Sequence, residues 1–205
     1  MCSPEGFLPV ILMPGVLLLD LFLGQTFTCN NFFHKAMEPM GLIPPKAAQI
    51  CQTYTNRIYF ATIYDQEHRI PISSAYLYNK GGKNCGSDSW FLEAMNLKSD
   101  CNESNCLSLE CHTPLSKQKK SQAVSEDDKN IYHYDQGHLS PCMHHTDEGK
   151  KIAMFTLTNV VPEFKELKNK EWSHYENQEM EKFEKGCYKT HVIVGVVRGE
   201  NIKKK

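Results

Sequence analysis

YDQGHLSP, at residues 134–141, is the segment on which the architecture of this chain depends. It brings an acid, Asp135, a glycine, Gly137, and an imidazole, His138, within a few positions of one another. A second motif, FTLTNVVP, follows at residues 155–162, and its β-rich sequence predicts a strand or a strand-to-turn segment over Ala153–Val161 that Pro162 closes. These two stretches form the densest group of chemically active side chains in the sequence.

A helix is predicted immediately downstream, from about Asn169 to Lys185. Its sequence is charged, Gly186 supplies a stop, and apolar side chains recur at roughly helical spacing at Phe164, Leu167, Trp172, Tyr175 and Phe183. After the helix, HVIVGVV at residues 191–197 predicts a buried strand.

Upstream of the first motif, two β-rich runs predict a hairpin. Arg57–Asp65 and Ile70–Tyr78 are separated by the polar turn at residues 66–69, and Pro71 suits a sheet edge or the start of a strand. Residues 29–55 are expected to be short helices or irregular structure. The resulting order, two strands, a loop, a strand, a helix and a strand, predicts an α+β domain with a mixed or antiparallel sheet.

Length and composition limit the class of protein. A chain of 205 residues fits one domain, and 40% hydrophobic with 23% charged residues excludes both a disordered tail and a membrane bundle. The net charge of -1 excludes a strongly basic nucleic-acid coat protein. It still permits an enzyme that acts on nucleic acid, because a local cationic groove steers phosphate without a global charge.

The first residues predict secretion. Residues 7–23, FLPVILMPGVLLLDLFL, are apolar, but they are fewer than the about 20 that a transmembrane helix needs and include two prolines and an aspartate. We therefore expect a signal peptide at residues 1–24, with cleavage within residues 24–28, and no membrane association after its removal. The alternative is an uncleaved anchor or a buried segment.

The cysteines support an oxidising compartment. Cleavage would remove Cys2 from the nine cysteines, and it would leave an even number for pairing. A polar, cysteine-containing loop is expected at residues 98–130, where disulfides would hold a segment with little core of its own and where Asn102 begins a glycosylation sequon. The expected mobile part of this loop is the charged run from Lys117 to Lys129, and residues 200–205 form a basic tail.

DQGHLSP, FTLTNVVP and the W-x-x-Y-E pattern at residues 172–176 occur in the order seen in the DNA/RNA non-specific endonuclease family, which the chain resembles. The family's usual motifs are D-R-G-H-L-x-P, T-N-x-x-P-Q and N-x-x-x-W-x-x-x-E. Within it, the endonuclease domain-containing 1 group shares the CNNFF and ICQ segments at residues 29–33 and 50–52. The resemblance implies a ββα-metal (His-Me finger) nuclease domain over residues 29–199, disulfide-stabilised and short at its C-terminal end.

The resemblance also implies a chemistry. His138 would be the general base that deprotonates water, and Mg²⁺ would neutralise the phosphate of a DNA or RNA backbone. Candidate site residues fall into three groups. The catalytic candidates are His138, Glu176 and Asp135; the metal candidates are Glu176 and Asn169, or the substituted position Lys168; the substrate candidates are Gln136, Asn159, Arg69 and Lys168.

Four positions depart from the family pattern. Gln136 stands where the core motif has arginine, Glu163 where glutamine is usual, Lys168 where the metal-binding asparagine is expected, and Met180 where an arginine is expected. The loss of an arginine removes a bidentate phosphate clamp, and a cation at residue 168 would repel Mg²⁺. Asn169 would then have to replace the asparagine, or the lysine ammonium itself would have to replace part of the metal.

These departures leave alternatives to an active secreted endonuclease. One is a catalytically degenerate nuclease-fold module that binds nucleic acid or a protein partner, and another is a disulfide-held protein with no nucleic-acid role. The individual residues also have plainer interpretations: Asp135 as a turn cap, Trp172 as core, Glu176 as a solvated carboxylate. A further alternative is a structural zinc site, although the spacing of its candidate ligands fits no standard zinc pattern; they are His133, His138, Cys142, His144 and His145.

Overall fold

The computed structural model describes residues 29–39, 41, 43–44, 47–82, 85, 90–93, 107–109, 115–128 and 131–197. The expected signal peptide, its cleavage region, Asn102 and the basic tail at residues 200–205 lie outside these residues. In the described part of the chain, no helix has both the length and the apolar character needed to cross a membrane.

The main sheet is antiparallel and has four strands in the order β1-β2-β3-β8. They are β1 (Ala47–Tyr54), β2 (Arg57–Asp65), β3 (Ile70–Tyr78) and β8 (Thr190–Gly195). The predicted hairpin is confirmed as β2 and β3, with the predicted bounds. Pro71, the second residue of β3, lies beside a register shift between Ile63 and Tyr64, where a missing N–H is tolerated.

Both faces of the β2–β3 hairpin are covered, which explains its continuous apolar sequence. Ala61 and Ile63 pack with Phe32 and Phe33 of the segment that carries two 3-10 turns, Asn30–Phe32 and His34–Ala36. On the opposite side, Phe60 and Tyr76 pack with Ala153 and Met154. The second cluster matters for function, because it supports the segment that follows His138.

Two strands and a helix form the unit that carries the sequence motifs. Strands β6 (Tyr134–His138) and β7 (Val160–Phe164) are antiparallel, with His138 opposite Val160. Between them lie the 3-10 turn Cys142–His144, helix α2 (Glu148–Ala153) and the 3-10 turn Leu157–Asn159. The predicted strand over 153–161 is therefore mostly turn, and the strand itself begins at Val160.

A continuous helix over residues 165–184 follows β7 directly and is called the long helix below. It consists of α-helical Lys165–Leu167, π-helical Lys168–Trp172, π-helical Tyr175–Glu179 and α-helical Met180–Glu184. The predicted helix is confirmed but begins four residues earlier than expected. Gly186 has a φ of 84°, so it provides the left-handed stop that the sequence indicated.

The remaining elements are short. Strands β4 (Phe91–Glu93) and β5 (Leu107–Leu109) pair, helix α1 covers Leu115–Gln118, and a 3-10 turn covers Ser125–Asp128. The segment expected to be a mobile charged run thus contains regular structure, and Gln122 and Val124 are fully buried. Strand β8 also differs from expectation: it is an edge strand of the sheet, with Ile193 46% exposed.

Disulfides hold the domain in two described places. Cys29 is bonded to Cys51, and Cys85 is bonded to Cys142. Cys187 is also disulfide-bonded. The predictions of an α+β class, an antiparallel sheet and disulfide stabilisation are confirmed.

Candidate active site

His138, the last residue of β6, lies against two aromatic rings. Its imidazole stacks on Trp90 with centroids 5.8 Å apart and planes 14° apart, and it meets the edge of Phe155 at 5.5 Å. Its Nε2 atom is buried and has no hydrogen-bond partner among the described residues. Burial, aided by the charge of Lys168 and opposed by Asp135, lowers the pKa of His138 to about 4. The imidazole is therefore neutral at neutral pH.

Lys168, in the first turns of the long helix, reaches across to β6. Its Nζ donates to Asp135 Oδ2 at 2.9 Å and to the carbonyl oxygen of Gln136 at 2.6 Å. Burial raises the pKa of the Asp135 carboxyl, but the hydrogen bonds from Lys168 and from the N–H of Gln136 outweigh it and hold that pKa below its usual value. Asp135 is thus an ionised partner of Lys168, three residues before His138.

Two further carboxyl groups lie within the electrostatic range of Lys168. Burial raises the pKa of Glu176 to about 7, an effect that Glu163 increases and that a hydrogen bond from Trp172 and the charge of Lys168 reduce. Burial also raises the pKa of Glu163. The Glu163 side chain lies so close to Gly137 that a Cβ there would be 2.4 Å from Glu163 Oε2. Glycine at residue 137 therefore makes room for this carboxyl.

The two adjacent candidates for the metal position lie on different sides of the long helix. Lys168 is half-buried and faces β6, whereas the side chain of Asn169 is exposed. Trp172 is half-buried, stacks on Tyr175 at 5.6 Å and bonds to Glu176. Met180, where the family has an arginine, is buried. The helix therefore directs an ammonium group, not an amide, at the strand that carries His138.

Asn159 is fully buried, and its side-chain amide makes structural hydrogen bonds. Its Nδ2 donates to the carbonyl oxygens of Ser140 and Met154, each at 3.1 Å, and its Oδ1 accepts from the N–H of Ser140 at 3.0 Å and from Ser74 Oγ at 3.3 Å. Every hydrogen-bonding site of the amide is therefore used. The geometry places Asn159 to hold the backbone that follows His138, not to reach a phosphate.

Arg69 and Gln136, the other substrate candidates, differ in their surroundings. Arg69 makes a two-pronged ion pair with Asp127, at 2.9 and 3.2 Å. Gln136 is half-buried on β6, and its carbonyl oxygen is bound by Lys168. Arg69 is thus committed to the segment around Asp127, while Gln136 belongs to the His138 group.

A hydrogen-bonded chain connects the main sheet to the long helix. His144 lies 2.8 Å from the hydroxyl of Tyr76 through Nδ1 and 2.9 Å from the carbonyl oxygen of Glu176 through Nε2. Since a carbonyl only accepts, Nε2 must carry the proton, and Nδ1 accepts from the hydroxyl. His144 therefore anchors the helix turn that carries Glu176.

Several candidate ligands of the zinc alternative have other bonding partners in the structure. Cys142 is in a disulfide, and the ring of His145 is hydrogen-bonded to Ser140 Oγ at 2.8 Å. Trp90 and Phe155 were not identified as site residues from the sequence, and His144 was named there only in the zinc alternative. The FTLTNVVP motif contained Phe155, but nothing local to Trp90 signalled its role, because its contact with His138 joins residues far apart in the sequence.

The fold and the site together define a class: a ββα unit of two antiparallel strands and a helix, in which the first strand ends at a histidine with a buried Nε2. The chain belongs to the DNA/RNA non-specific endonuclease family, whose model matches residues 42–204. It is 30% identical over 164 residues to the endonuclease domain-containing 1 protein of Mus musculus, and 29% identical over 140 residues to that of Homo sapiens. These matches cover 75% and 65% of this chain but only 31% and 26% of the relatives. The chain thus spans less than a third of the length of the curated relatives it matches.

The family is typically metal-dependent. The question is therefore whether the oxygen atoms near His138 could bind Mg²⁺. That ion is octahedral but keeps several of its waters, so it needs only one or two protein oxygens that are free to bind it. Here the ammonium of Lys168 already occupies Asp135 Oδ2 and the carbonyl of Gln136. Within the described residues, no group of three or more acidic, histidine or cysteine side chains could hold a metal ion. In this arrangement the residues do not fit Mg²⁺.

Proposed function

We propose that this protein is a secreted phosphodiester hydrolase that cuts DNA or RNA without regard to base sequence, with His138 as the general base. One observation carries the proposal: Nε2 of His138 is buried without a described partner, on the ββα unit that also presents Lys168. A buried ring nitrogen seldom lacks a hydrogen bond in a folded protein, so such an atom is a natural acceptor for the proton of a bound water.

The reaction would be a hydrolysis. A water oxygen attacks phosphorus while its proton passes to Nε2 of His138, and the bond from phosphorus to the 3′-oxygen breaks. The 3′-oxygen then takes a proton from solvent. A neutral imidazole suits this role because it has a free lone pair at neutral pH, although a pKa of about 4 makes it a weak base until an anion binds nearby.

Substrate recognition would rest on the phosphate backbone. Contacts to phosphate position a nucleic acid without reading its sequence, and cations supply most of this affinity. Lys168 is a cation whose charge acts on His138, and Glu176 and Asp135 contribute to the surrounding charge. Asn159 has a positioning role, since it holds Ser140 two residues after His138.

The direct test is plasmid nicking by the purified mature protein, compared with His138→Ala. We expect His138→Ala to lose at least about a hundredfold of the activity, the range attributed to general-base catalysis. Thermal unfolding of both proteins would verify that the variant is folded. Nicking by a folded His138→Ala variant at the natural rate would reject the proposed role of His138.

A second candidate, a nuclease-fold module that binds nucleic acid without cutting it, is favoured by the ion pair between Lys168 and Asp135 and by Gln136 in place of an arginine. The double variant Gln136→Arg, Lys168→Asn separates the two. A large gain of Mg²⁺-dependent nicking over an inactive natural protein would favour the binding module. Rapid cleavage by the natural protein would exclude it.

Secretion is part of the proposal and is supported by the disulfides, which persist in oxidising compartments. The full chain expressed in mammalian cells should appear in the medium, and removal of N-linked glycans should change its mobility if Asn102 is modified. Retention of the intact chain inside the cell would contradict secretion.

A further inference from the structure

Lys168 lies where the charges of the site converge. Its Nζ contacts Asp135 and the backbone of Gln136, and its charge acts on His138, Glu163 and Glu176. The side chain is 31% exposed, so solvent reaches it. The lysine is therefore a resident positive charge at the meeting point of β6, β7 and the long helix.

The hydrogen bonds of this ammonium leave one donor for a ligand. Lysine has three N–H groups, and two of them bind Asp135 Oδ2 and the carbonyl oxygen of Gln136. The third has no partner among the described residues and is available to a phosphoryl oxygen. Because the first two bonds fix the stem and the head group, the charge is held in place before any ligand binds.

The position of the Lys168 ammonium beside Asp135 also disfavours the binding of a divalent ion at this site. An ion that used Asp135 would have to displace the ammonium, which would then lie beside it as a like charge. Asn169, whose oxygen is a suitable ligand for Mg²⁺, is on the exposed side of the helix. Glu163 and Glu176 remain near Lys168, but burial favours their protonated forms.

We infer that the Lys168 ammonium is the cation that meets a polynucleotide phosphate at this site, in place of a divalent metal ion. This inference deepens the proposed function and rests on it for the identity of the ligand. It requires that metal-free protein bind single-stranded DNA through Lys168, and that the natural protein take up no stoichiometric Mg²⁺.

Lys168→Asn provides the test and Lys170→Asn the matched control. Lys170 is an exposed lysine two positions along the same helix, so its replacement removes an equal charge that faces elsewhere. Binding of a short fluorescein-labelled single-stranded DNA would be followed by anisotropy in EDTA, and Mg²⁺ binding by isothermal titration calorimetry. A thermal melt of each variant would verify folding.

We expect Lys168→Asn to weaken metal-free DNA binding about tenfold, the value of one good charged contact, and to gain stoichiometric Mg²⁺ binding. Lys170→Asn should resemble the natural protein in both measurements. Equal loss in the two variants, absence of metal-free DNA binding by the natural protein, or tight Mg²⁺ binding by the natural protein would each overturn the inference.

Nicking assays in EDTA and in Mg²⁺ separate this inference from the proposed function. Cleavage by the natural protein that EDTA abolishes would leave the hydrolase in place and reject the role of Lys168. Metal-free DNA binding that is lost in Lys168→Asn, without cleavage in either buffer, would reject the hydrolase and support the ammonium as the phosphate-binding cation.

Discussion

Burial dominates the titration of single residues in this domain, and it acts in opposite directions on acids and bases. It lowers the pKa of His138 to about 4 and raises the pKa of Glu176 to about 7. Glu93, on β4, behaves like Glu176: it is 1% exposed, and burial raises its pKa to about 7 even though Gln52, Thr158 and Thr156 donate hydrogen bonds to it. Both carboxyl groups thus stay neutral to a higher pH in the folded protein than an ordinary glutamate does.

Glu93 should therefore make stability fall as the pH rises. Its folded pKa is raised, so its stabilising effect is complete below about pH 4.5, the ordinary value, and is lost as the pH rises through about 7. The shift corresponds to about 3 kcal/mol at most. Glu93→Gln removes this titration while keeping a side chain of similar shape that accepts from Gln52.

The measurement is urea unfolding of the natural protein and Glu93→Gln at about pH 5 and about pH 8. We expect the variant to gain about 2–3 kcal/mol relative to the natural protein between the two conditions. Glu171→Gln, on the exposed side of the long helix, should show no such gain. A constant difference between Glu93→Gln and the natural protein at both pH values would contradict this account.

At the scale of secondary-structure elements, the sequence predicted those strands and helix ends that depend on neighbouring residues in the chain. The hairpin of β2 and β3 was predictable because two β-rich runs flank a short polar turn, and the end of the long helix was predictable because Gly186 supplies the left-handed stop. The beginning of the helix was not, since its N-cap residue is Phe164, whose side chain makes no capping hydrogen bond and therefore gives no local start signal. Strand β1 was missed because only its pairing with β2 makes it a strand.

The site divides in the same way. The DQGH motif and its resemblance named His138 and Asp135 as site residues, but the sequence did not predict the strand over residues 134–138 that carries them. The helix motif placed Glu176. The stacking of Trp90 on His138 and the bond from His144 to the Glu176 carbonyl join residues far apart in sequence. Which of Lys168 and Asn169 faces β6 depends on the helical phase after β7, and the π-helical turns there alter that phase from the one a regular α-helix predicts.

The Asn159 side chain hydrogen-bonds to three separate parts of the fold, so its replacement should lower the free energy of unfolding substantially. In Asn159→Asp, the two N–H donors to the carbonyl oxygens of Ser140 and Met154 become an acceptor that faces two acceptors, in a fully buried place. Unsatisfied buried groups cost about 1–3 kcal/mol each, so we expect a loss of about 3 kcal/mol or more in urea unfolding. Asn169→Asp, on the exposed helix surface, should change stability by less than about 0.5 kcal/mol. Similar effects of the two replacements would show that the Asn159 hydrogen bonds contribute little.

At the scale of the whole molecule, each of the two described disulfides joins segments that are far apart in the sequence. Cys29–Cys51 attaches the N-terminal 3-10 turns to β1 across a separation of 22 residues. Cys85–Cys142 attaches the chain just before Trp90 to the turn that follows His138, across a separation of 57 residues. The second crosslink thus ties together the two segments whose rings stack in the candidate site.

The two crosslinks should therefore differ in both stability and function. Loop-closure entropy assigns about 3 kcal/mol to the shorter loop and about 4 kcal/mol to the longer one, so the Cys85→Ala, Cys142→Ala variant should unfold at lower urea than the Cys29→Ala, Cys51→Ala variant. Tryptophan fluorescence gives a second measurement. Because the Cys85–Cys142 bond restrains the approach to Trp90, its removal should shift the emission and raise the quencher accessibility of Trp90 in a Trp172→Phe background, while loss of Cys29–Cys51 should leave both unchanged. An unchanged Trp90 signal in the Cys85→Ala, Cys142→Ala variant would mean that packing against Phe155 and His138 holds the indole in place without the disulfide.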